Sequence, residues 1–343
     1  MKRFPTGLVV GKFCPLHKGH ELVIRTALDV SERVLVISWA NPEPAGMNSE
    51  RRAGWLARLF PETERLVLDQ AGLDALAPPR ELAALPPDGG DPVVDRRLVA
   101  WLCDRVFRRR ADAVFTSEAY GAPFADELSR CFGKPVASVL VDFARARFPI
   151  TGTRLRQDVH AGRNHLSPEV YRDFVQRVVL LGAESSGKST LAEHVARELG
   201  TLSVPEYGRE LWEQKLGALE FDDLVAIGRE QVLREEAALG HANRWLVCDT
   251  SPLTTLFYSR ALFGRAEPEL VALADRRYEH TALCLPEFPL VQDGTRQDEA
   301  FRKRQHDFHL EELARRGVSY TMLSGTVAER ARVLVAALAH APG

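Results

Sequence analysis

The sequence predicts an α/β fold of two doubly wound domains, each a parallel sheet with helices on both faces. Short apolar runs alternate with helical patterns through both halves of the chain, as is typical of parallel sheets. The 343 residues are long for one core and comfortable for two. A glycine-containing turn also follows the first apolar run of each half, at Gly11 and at Gly182. Together these observations predict two open sheets, each with a turn suited to an anion.

In the first half, the predicted strands cover residues 8–10, 34–38, 112–115 and 137–141, and the first helix begins near His20. Residues 77–92 are rich in proline and glycine and predict a surface excursion, after which a helix resumes near Val94.

In the second half, the predicted strands cover residues 178–181, 202–204, 246–249, 282–285 and 320–323, followed by an amphipathic helix from about Thr326. The segment GRNHLSP at 162–168 is polar and turn-forming. We therefore expect domains at 1–165 and 166–343, with a short connecting helix over 170–177.

Composition argues against several classes of protein. The 45 basic and 47 acidic residues give a net charge of −2, so no global field favours nucleic acid or an anionic membrane. The arginines at 105 and 108–110 are interpreted as a solvated helix end. The five cysteines are odd in number and lack CxxC spacing, which argues against a disulfide framework or zinc knuckle. We expect a reducing cytoplasm, no signal peptide and no membrane insertion.

The first motif is GKFCPLHKGH at 11–20. His17 and His20 lie three residues apart where the turn enters a helix, so backbone donors, the helix dipole and both imidazoles can face one anion. Nucleotidyl transfer needs positioning and charge stabilisation, and paired imidazoles with Lys12 suit that task. Without other evidence, a zinc ligand pair or two surface histidines would be the better interpretation.

A second block favours the transferase interpretation. GxFxPxHxGH resembles the nucleotidyltransferase family with the HxGH motif, and PITGTRLR at 149–156 resembles that family's ISxTxxR element. The resemblance implies a Rossmann-like domain whose hydroxyls, amides and Arg156 hold phosphates. Cys14 has no activating neighbour in the sequence and is interpreted as a filler thiol. The implied nucleotide-binding positions are Gly11, Phe13, Cys14, Gly19, Thr151, Gly152 and Thr153.

Three further segments indicate which type of nucleotidyltransferase the first domain resembles. NSERRAGWL at 48–56, TSEAYG at 116–121 and GKF at 11–13 together resemble the NadR-type nicotinamide-nucleotide adenylyltransferases. The resemblance implies that Arg52 and Trp55 help enclose the mononucleotide, whereas Ser117, Glu118 and Tyr120 line the adenosine or ribose side. The alternatives are a solvated helix face for Arg52 and a core anchor for Trp55.

The second motif, GAESSGKST at 182–190, is a complete P-loop. Its glycines let backbone N–H groups surround phosphates, Lys188 reaches the β/γ oxygens, and the Ser189 hydroxyl is placed for Mg²⁺. By itself the motif specifies only an NTP-binding domain. The expected ATP-binding positions are Gly182, Ser185, Ser186, Gly187, Ser189 and Thr190.

Polar residues that follow the second and third predicted strands of this half indicate the function of the second domain. Glu206 follows the strand at 202–204, where a carboxylate can accept a hydroxyl proton or bind a ribose diol, with Tyr207 and Arg209 beside it. Asp249 ends the next strand and is suited to hold Mg²⁺ through water; its alternative is a helix N-cap before Pro252.

A polar stretch at 292–304 predicts a lid in which Asp293 and Arg296 reach the riboside or the transferred phosphoryl group. For Arg302 and Arg304 we favour an exposed, charged helix.

ESSGKST, EYGRE and QDGTR, in this order, resemble the ribosylnicotinamide kinase half of the NadR family. The resemblance implies phosphorylation of nicotinamide riboside to NMN, then adenylyl transfer from ATP to NMN, giving NAD and pyrophosphate. ATP is then co-substrate at both sites and Mg²⁺ the cofactor.

Some relatives also carry an N-terminal helix-turn-helix repressor module, which we do not find here, so we expect no specific nucleic-acid partner. The sequence leaves homo-oligomerisation open.

Two other functions fit part of the pattern. A phosphopantetheine adenylyltransferase fused to dephospho-coenzyme A kinase also couples HxGH to a P-loop. An NAD-sensing regulatory protein with weak catalysis would need the binding residues only, and the intact His17, His20, Thr153 and Arg156 argue against it.

Overall fold

The computed structural model describes residues 2–289 and 298–341. The chain divides into two compact units, Met1–Phe174 and Val175–Gly343. Each unit has its own parallel sheet flanked by helices, which confirms the predicted fold class.

The first sheet has the order β3-β2-β1-β4-β5 across residues 2–174, and every pairing in it is parallel. Strand β3 was not predicted, because most of its residues are only half-buried at the sheet edge and alternate weakly in hydrophobicity. The strands are β1 (Phe4–Val10), β2 (Ser31–Trp39), β3 (Glu64–Leu68), β4 (Ala113–Thr116) and β5 (Ala137–Leu140).

The first-unit helices are α1 (Lys18–Val30), α2 (Ser49–Leu59), α3 (Gln70–Ala75), α4 (Pro92–Leu102), α5 (Gly121–Phe132), α6 (Gly152–Gln157) and α7 (Pro168–Tyr171). The strand order reverses at β1, so the carboxyl ends of β1 and β4 flank a crevice, the usual ligand site of open α/β sheets.

The proline-rich excursion between α3 and α4 is attached to the unit rather than loose. Leu82 and Leu85 are buried in the core. Asn41 Nδ2 donates to Leu85 O at 2.7 Å, and Asp88 N donates to Asn41 O at 2.9 Å. The excursion is therefore held near the carboxyl end of β2.

The end of the first unit differs from the prediction. The expected connecting helix over 170–177 is shorter: α7 ends at Tyr171, a 3₁₀ turn covers Arg172–Phe174, and a strand begins at Gln176. Trp55 Nε1 donates to Asp173 at 2.7 Å, and the Trp55 and Phe174 ring centroids lie 5.7 Å apart. These contacts attach residues 168–174 to the first unit, so the unit ends later than the predicted residue 165.

The second sheet has the order β10-β9-β6-β8-β7 and is also parallel. Alternate residues of its central strand, Val178 and Leu180, face a core that includes Leu191 and Leu334. The strands are β6 (Gln176–Gly182), β7 (Leu202–Val204), β8 (Trp245–Asp249), β9 (His280–Cys284) and β10 (Thr321–Leu323).

In the described part of the second unit the helices are α8 (Lys188–Glu198), α9 (Tyr207–Gln214), α10 (Phe221–Leu239), α11 (Pro252–Phe263), α12 (Pro268–Ala274), α13 (Glu299–Arg315) and α14 (Val327–Ala339). Within residues 2–289 and 298–341, none of the helices combines the length and apolar character needed to cross a bilayer.

Candidate active sites of the two units

The first unit has a cavity of about 610 Å³ at the crevice beside β1. Small-molecule sites typically occupy about 300–1,000 Å³, so the volume suits a nucleotide-sized ligand. Its wall includes most of the predicted transferase residues: Gly11, Lys12, Phe13, Cys14, His17, Gly19, His20, Ser117, Glu118, Tyr120, Thr151, Gly152, Thr153 and Arg156.

The two histidines sit at the start of α1. His17 is the N-cap, and its Nδ1 accepts from the backbone N–H groups of Gly19 at 3.2 Å and His20 at 3.4 Å. His20 Nδ1 in turn accepts from His17 N at 3.4 Å, and the two rings stack with centroids 3.6 Å apart. Because each Nδ1 is an acceptor, the single ring proton of each neutral imidazole lies on Nε2.

Burial keeps both imidazoles neutral. It lowers the pKa of His17 to about 4, with the nearby Arg145 guanidinium and His165 adding to the effect. Burial, His17 and Arg145 likewise hold the pKa of His20 well below its usual range. At neutral pH the pair therefore offers hydrogen bonds to a phosphate rather than positive charge.

The second predicted block lies directly beside the first. Thr151 caps α6 by accepting from Arg154 N at 3.2 Å. Arg156 Nη1 donates to Cys14 O at 2.8 Å, and its Nη2 donates to Thr153 Oγ1 at 3.1 Å. A Cβ at Gly152 would lie 3.1 Å from Cys14 O, so the glycine permits this close approach. Residues more than 130 positions apart thus form one phosphate-sized recess.

Lys12 and Cys14 occupy the same wall with different chemistry. Lys12 Nζ pairs with Asp88 of the excursion at 2.7 Å, and both side chains remain about half exposed. Burial raises the pKa of the Cys14 thiol to about 11, so it stays protonated and is a poor nucleophile at neutral pH. This agrees with its interpretation as a filler residue.

Arg52 and Trp55 do not reach the cavity. Both side chains are fully buried. Arg52 donates to Ser38 Oγ at 2.7 Å and to Glu43 Oε1 at 2.5 Å, while Trp55 is fixed to Asp173. The solvated-face interpretation of Arg52 is therefore wrong, and Trp55 has the position of a core anchor.

Sequence reasoning missed several residues of the cavity wall, including Trp39, Asp95, Arg145 and Phe148. Trp39 ends β2 and Asp95 lies in the first turn of α4, whereas Arg145 and Phe148 follow β5. Their only signal in the sequence is that they follow predicted strands or the excursion, a position shared with many residues that do not line the site.

The second unit has a cavity of about 270 Å³ around its P-loop. Its wall contains the predicted residues Ser185, Ser186, Gly187, Lys188, Ser189, Thr190, Glu206 and Arg209. Gly182, Tyr207 and Asp249 lie outside this wall; the Tyr207 ring packs under Arg234 at 4.4 Å.

The P-loop has the expected local conformation. Gly187 has φ of +78° at the start of α8, and a Cβ there would meet the Phe288 ring at 2.8 Å, so only glycine fits. Lys188 Nζ donates to Gly182 O at 3.0 Å and to Ala183 O at 2.9 Å. These acceptors are carbonyl oxygens of the loop itself. Lys188 can therefore leave them and donate to the oxygens of a bound phosphate instead.

Two carboxyl groups stand near Lys188. Burial, reinforced by Asp249, raises the pKa of Glu206. Burial also raises the pKa of Asp249, while Lys188 and a hydrogen bond from Ser189 oppose the shift. The Asp249 side chain is 3% exposed and does not cap α11, whose N-cap is Ser251. The helix-cap interpretation of Asp249 is therefore wrong.

The oxygen donors beside Lys188 are of a kind that would suit Mg²⁺. Within the described residues no cluster of at least three His, Cys, Asp or Glu side chains could hold a metal ion. Ser189 and Asp249 are in hydrogen-bonding contact, and their oxygens would be the protein ligands of such an ion. Mg²⁺ commonly binds in this way, with one or two protein ligands plus phosphate.

Asp293 and Arg296 lie outside the described residues. Arg302 corrects a prediction: it is 3% exposed, and its Nη2 donates to Phe288 O at 2.7 Å, so it supports the segment before the predicted lid instead of facing solvent. Arg304 is exposed as expected.

Tyr258 and Gln305 were missed in the sequence although they line the second cavity. Tyr258 OH donates to Glu184 Oε1, and Glu184 N donates to Gln305 Oε1, each at 2.8 Å. Both residues lie inside helical patterns, where nothing in the sequence separates a cavity residue from a core residue.

The chain is similar to known proteins in sequence. A protein-family model described as an AAA domain matches residues 177–330. The trifunctional NAD biosynthesis/regulator protein NadR of Salmonella typhimurium is 29% identical over 309 residues, covering 84% of this chain and 71% of that protein. Its namesake from Escherichia coli gives the same identity and coverage.

Solved structures share the fold. A NadR protein in complex with NAD and AMP-PNP superposes with a TM-score of 0.70 at 19% identity, covering 99% of this chain and 97% of the other. A NadR protein in complex with NR gives 0.67 at 19% identity, covering 98% and 96%.

Proposed function

We propose, from the premise that this chain is a homologue of the NadR proteins, that it makes NAD in two ATP-dependent steps. The second unit transfers a phosphoryl group from ATP to the 5′-hydroxyl of nicotinamide riboside. The first unit then joins the resulting NMN to the AMP part of a second ATP, releasing pyrophosphate.

The observation that carries the transferase step is the position of the imidazole pair in the larger cavity. His17 and His20 share this cavity with Trp39 at the end of β2 and with Ser117 and Glu118 after β4. An adenylyl transfer requires two nucleotides whose phosphates meet, so a cavity extending to both sides of the phosphate recess supports this reaction.

In that step an oxygen of the NMN phosphate attacks the α-phosphorus of ATP, and the bond to the β-phosphate breaks. Neutral Nε2–H donors and Arg156 stabilise the oxygens on which negative charge increases. No enzyme nucleophile is needed, which fits the protonated Cys14 thiol.

For the kinase step, Lys188 and the loop amides hold the ATP phosphates. Glu206 has a raised pKa, which makes it a stronger base than an exposed carboxylate, and it shares the cavity with the P-loop. We assign Glu206 to receive the riboside hydroxyl proton. Ser189 and Asp249 would hold Mg²⁺, which supplies charge neutralisation between the phosphates.

The direct test is to incubate the purified protein with ATP, Mg²⁺ and nicotinamide riboside and to follow NMN and NAD by chromatography. We expect NMN to appear first and NAD to accumulate with release of pyrophosphate. Phosphopantetheine and dephospho-coenzyme A serve as control substrates, and turnover of these without NAD formation would contradict the proposal.

A further inference from the structure

The transferase cavity needs positive charge that its histidines do not provide. Both imidazoles are buried and keep Nδ1 as an acceptor of backbone N–H groups, so protonating them would cost these hydrogen bonds. Lys12 is paired with Asp88. Arg156 is directed by its bonds to Cys14 O and Thr153. A polyphosphate carries several negative charges, and besides Arg156 the cavity wall holds the guanidinium groups of Arg96 and Arg145.

Arg145 also lines this cavity, and no motif of the sequence singled it out. Its side chain is 35% exposed, and its Nη2 pairs with Glu118 Oε1 at 3.2 Å. Its effect on the pKa of both His17 and His20 agrees with a guanidinium near the imidazole pair. It is therefore close to the phosphate recess yet accessible from the cavity.

The backbone around Arg145 forms a strained turn that local hydrogen bonds hold in place. Arg145 has φ of +51° and Asp142 has φ of +47°, a region that non-glycine residues rarely adopt. Arg145 N donates to Asp142 O at 2.7 Å, and the Asp142 carboxylate accepts from Ala146 N at 3.0 Å and Arg147 N at 3.2 Å. Strained residues of this kind are often found at functional sites.

We propose that Arg145 is a second phosphate-binding residue of the transferase site, and that it leaves Glu118 for the β/γ-phosphates of ATP, which become the pyrophosphate leaving group. This rests on the proposed adenylyl transfer. Arg145 exchanges no proton: the electron pair of the broken bond goes to pyrophosphate, and the guanidinium stabilises the resulting charge. The exchange of partners is feasible because an exposed carboxylate binds arginine weakly, whereas phosphate oxygens accept both arms of the fork.

The test compares Arg145→Gln with Arg147→Gln, which removes an exposed arginine of the same turn that does not line the cavity. With ATP and NMN, we expect Arg145→Gln to lower kcat for NAD formation by roughly 10² or more while the KM for NMN changes little. Arg145→Lys should recover part of the loss, because it restores charge without the fork. Arg147→Gln should behave as the unaltered protein. Equal kcat values in the two glutamine variants would overturn the proposal.

A binding measurement separates this inference from the proposed function. Calorimetric titration of inorganic pyrophosphate into variants that also carry Lys188→Ala, which disables the other phosphate loop, should show at least about tenfold weaker binding with Arg145→Gln than with Arg147→Gln. If the unaltered protein forms no NAD, the proposed function fails, but this comparison still decides the role of Arg145. Equal pyrophosphate affinity would reject that role.

Discussion

At the scale of single residues, burial tunes the two sites in opposite directions. It lowers the pKa of His17 to about 4, which fixes a neutral hydrogen-bond donor. It raises the pKa of Glu206, which turns a carboxylate into a stronger base. In both cases the physical cause is the cost of keeping a charge away from water.

Glu206→Gln should lower riboside phosphorylation by roughly 10² to 10⁴ with little change in ATP affinity, because it keeps the shape but removes the base. Turnover in the unaltered protein should fall as pH drops through the raised pKa of Glu206, since the protonated form cannot accept the hydroxyl proton. Initial rates of NMN formation across pH measure both effects.

Glu210→Gln is the matched control, because Glu210 is an exposed carboxylate one turn further along α9. It should leave the rate unchanged. If Glu206→Gln also kept full turnover, the base would have to be another group, and Asp249 would be next to test.

At the scale of elements, a buried ionic cluster joins α10 to the segment before β9. Glu235 of α10 has a fully buried side chain; it accepts from Arg276 Nε at 3.0 Å and from Tyr278 OH at 3.0 Å. Burial raises the pKa of Glu235 to about 7, against the opposing effect of Arg276. The cluster therefore titrates near neutral pH.

Stability of the second unit should fall as pH rises through this range. Because the folded pKa lies above the usual 4.5, the Glu235 contribution is complete below about pH 4.5 and is lost as pH rises through about 7. The whole effect is about 3 kcal/mol. Relative to Glu235→Gln, the unaltered protein should lose thermal stability between pH 5 and pH 8, as measured by calorimetry.

Glu230→Gln, which alters a partly exposed carboxylate on the same helix that pairs with Arg234 outside the cluster, provides the comparison for that experiment. It should retain the pH response of the unaltered protein. A pH response that survives in Glu235→Gln would show that another group produces it.

At the scale of the whole molecule, each unit has its own sheet and its own cavity, and one of the two motif turns lines each cavity. The two proposed reactions use separate ATP molecules. Loss of one phosphate site should therefore not stop the other reaction directly.

Lys188→Ala should abolish riboside phosphorylation yet leave NAD formation from supplied NMN nearly intact, and His20→Ala should do the reverse. Each half-reaction is assayed separately, with circular dichroism to confirm folding. If either substitution stopped both reactions in a folded protein, the model of two independent sites would be refuted.

The sequence by itself determined the fold class and located the motif turns that line the two cavities. The HxGH turn, the Thr151–Arg156 block and the P-loop are contiguous, and short spacing together with local backbone geometry is enough to define a phosphate-binding turn. The apolar runs likewise located the central strands, because strands buried on both faces are apolar throughout.

Only the tertiary structure decided which polar side chains face the cavities. Arg52 is buried because Ser38 and Glu43 satisfy its guanidinium, and Arg302 is buried because the Phe288 carbonyl accepts from it. Arg145 reaches the site through a strained turn that no sequence pattern announces. Whether an arginine is solvated, structural or a ligand depends on partners distant in the chain, and the folded packing alone brings those partners together.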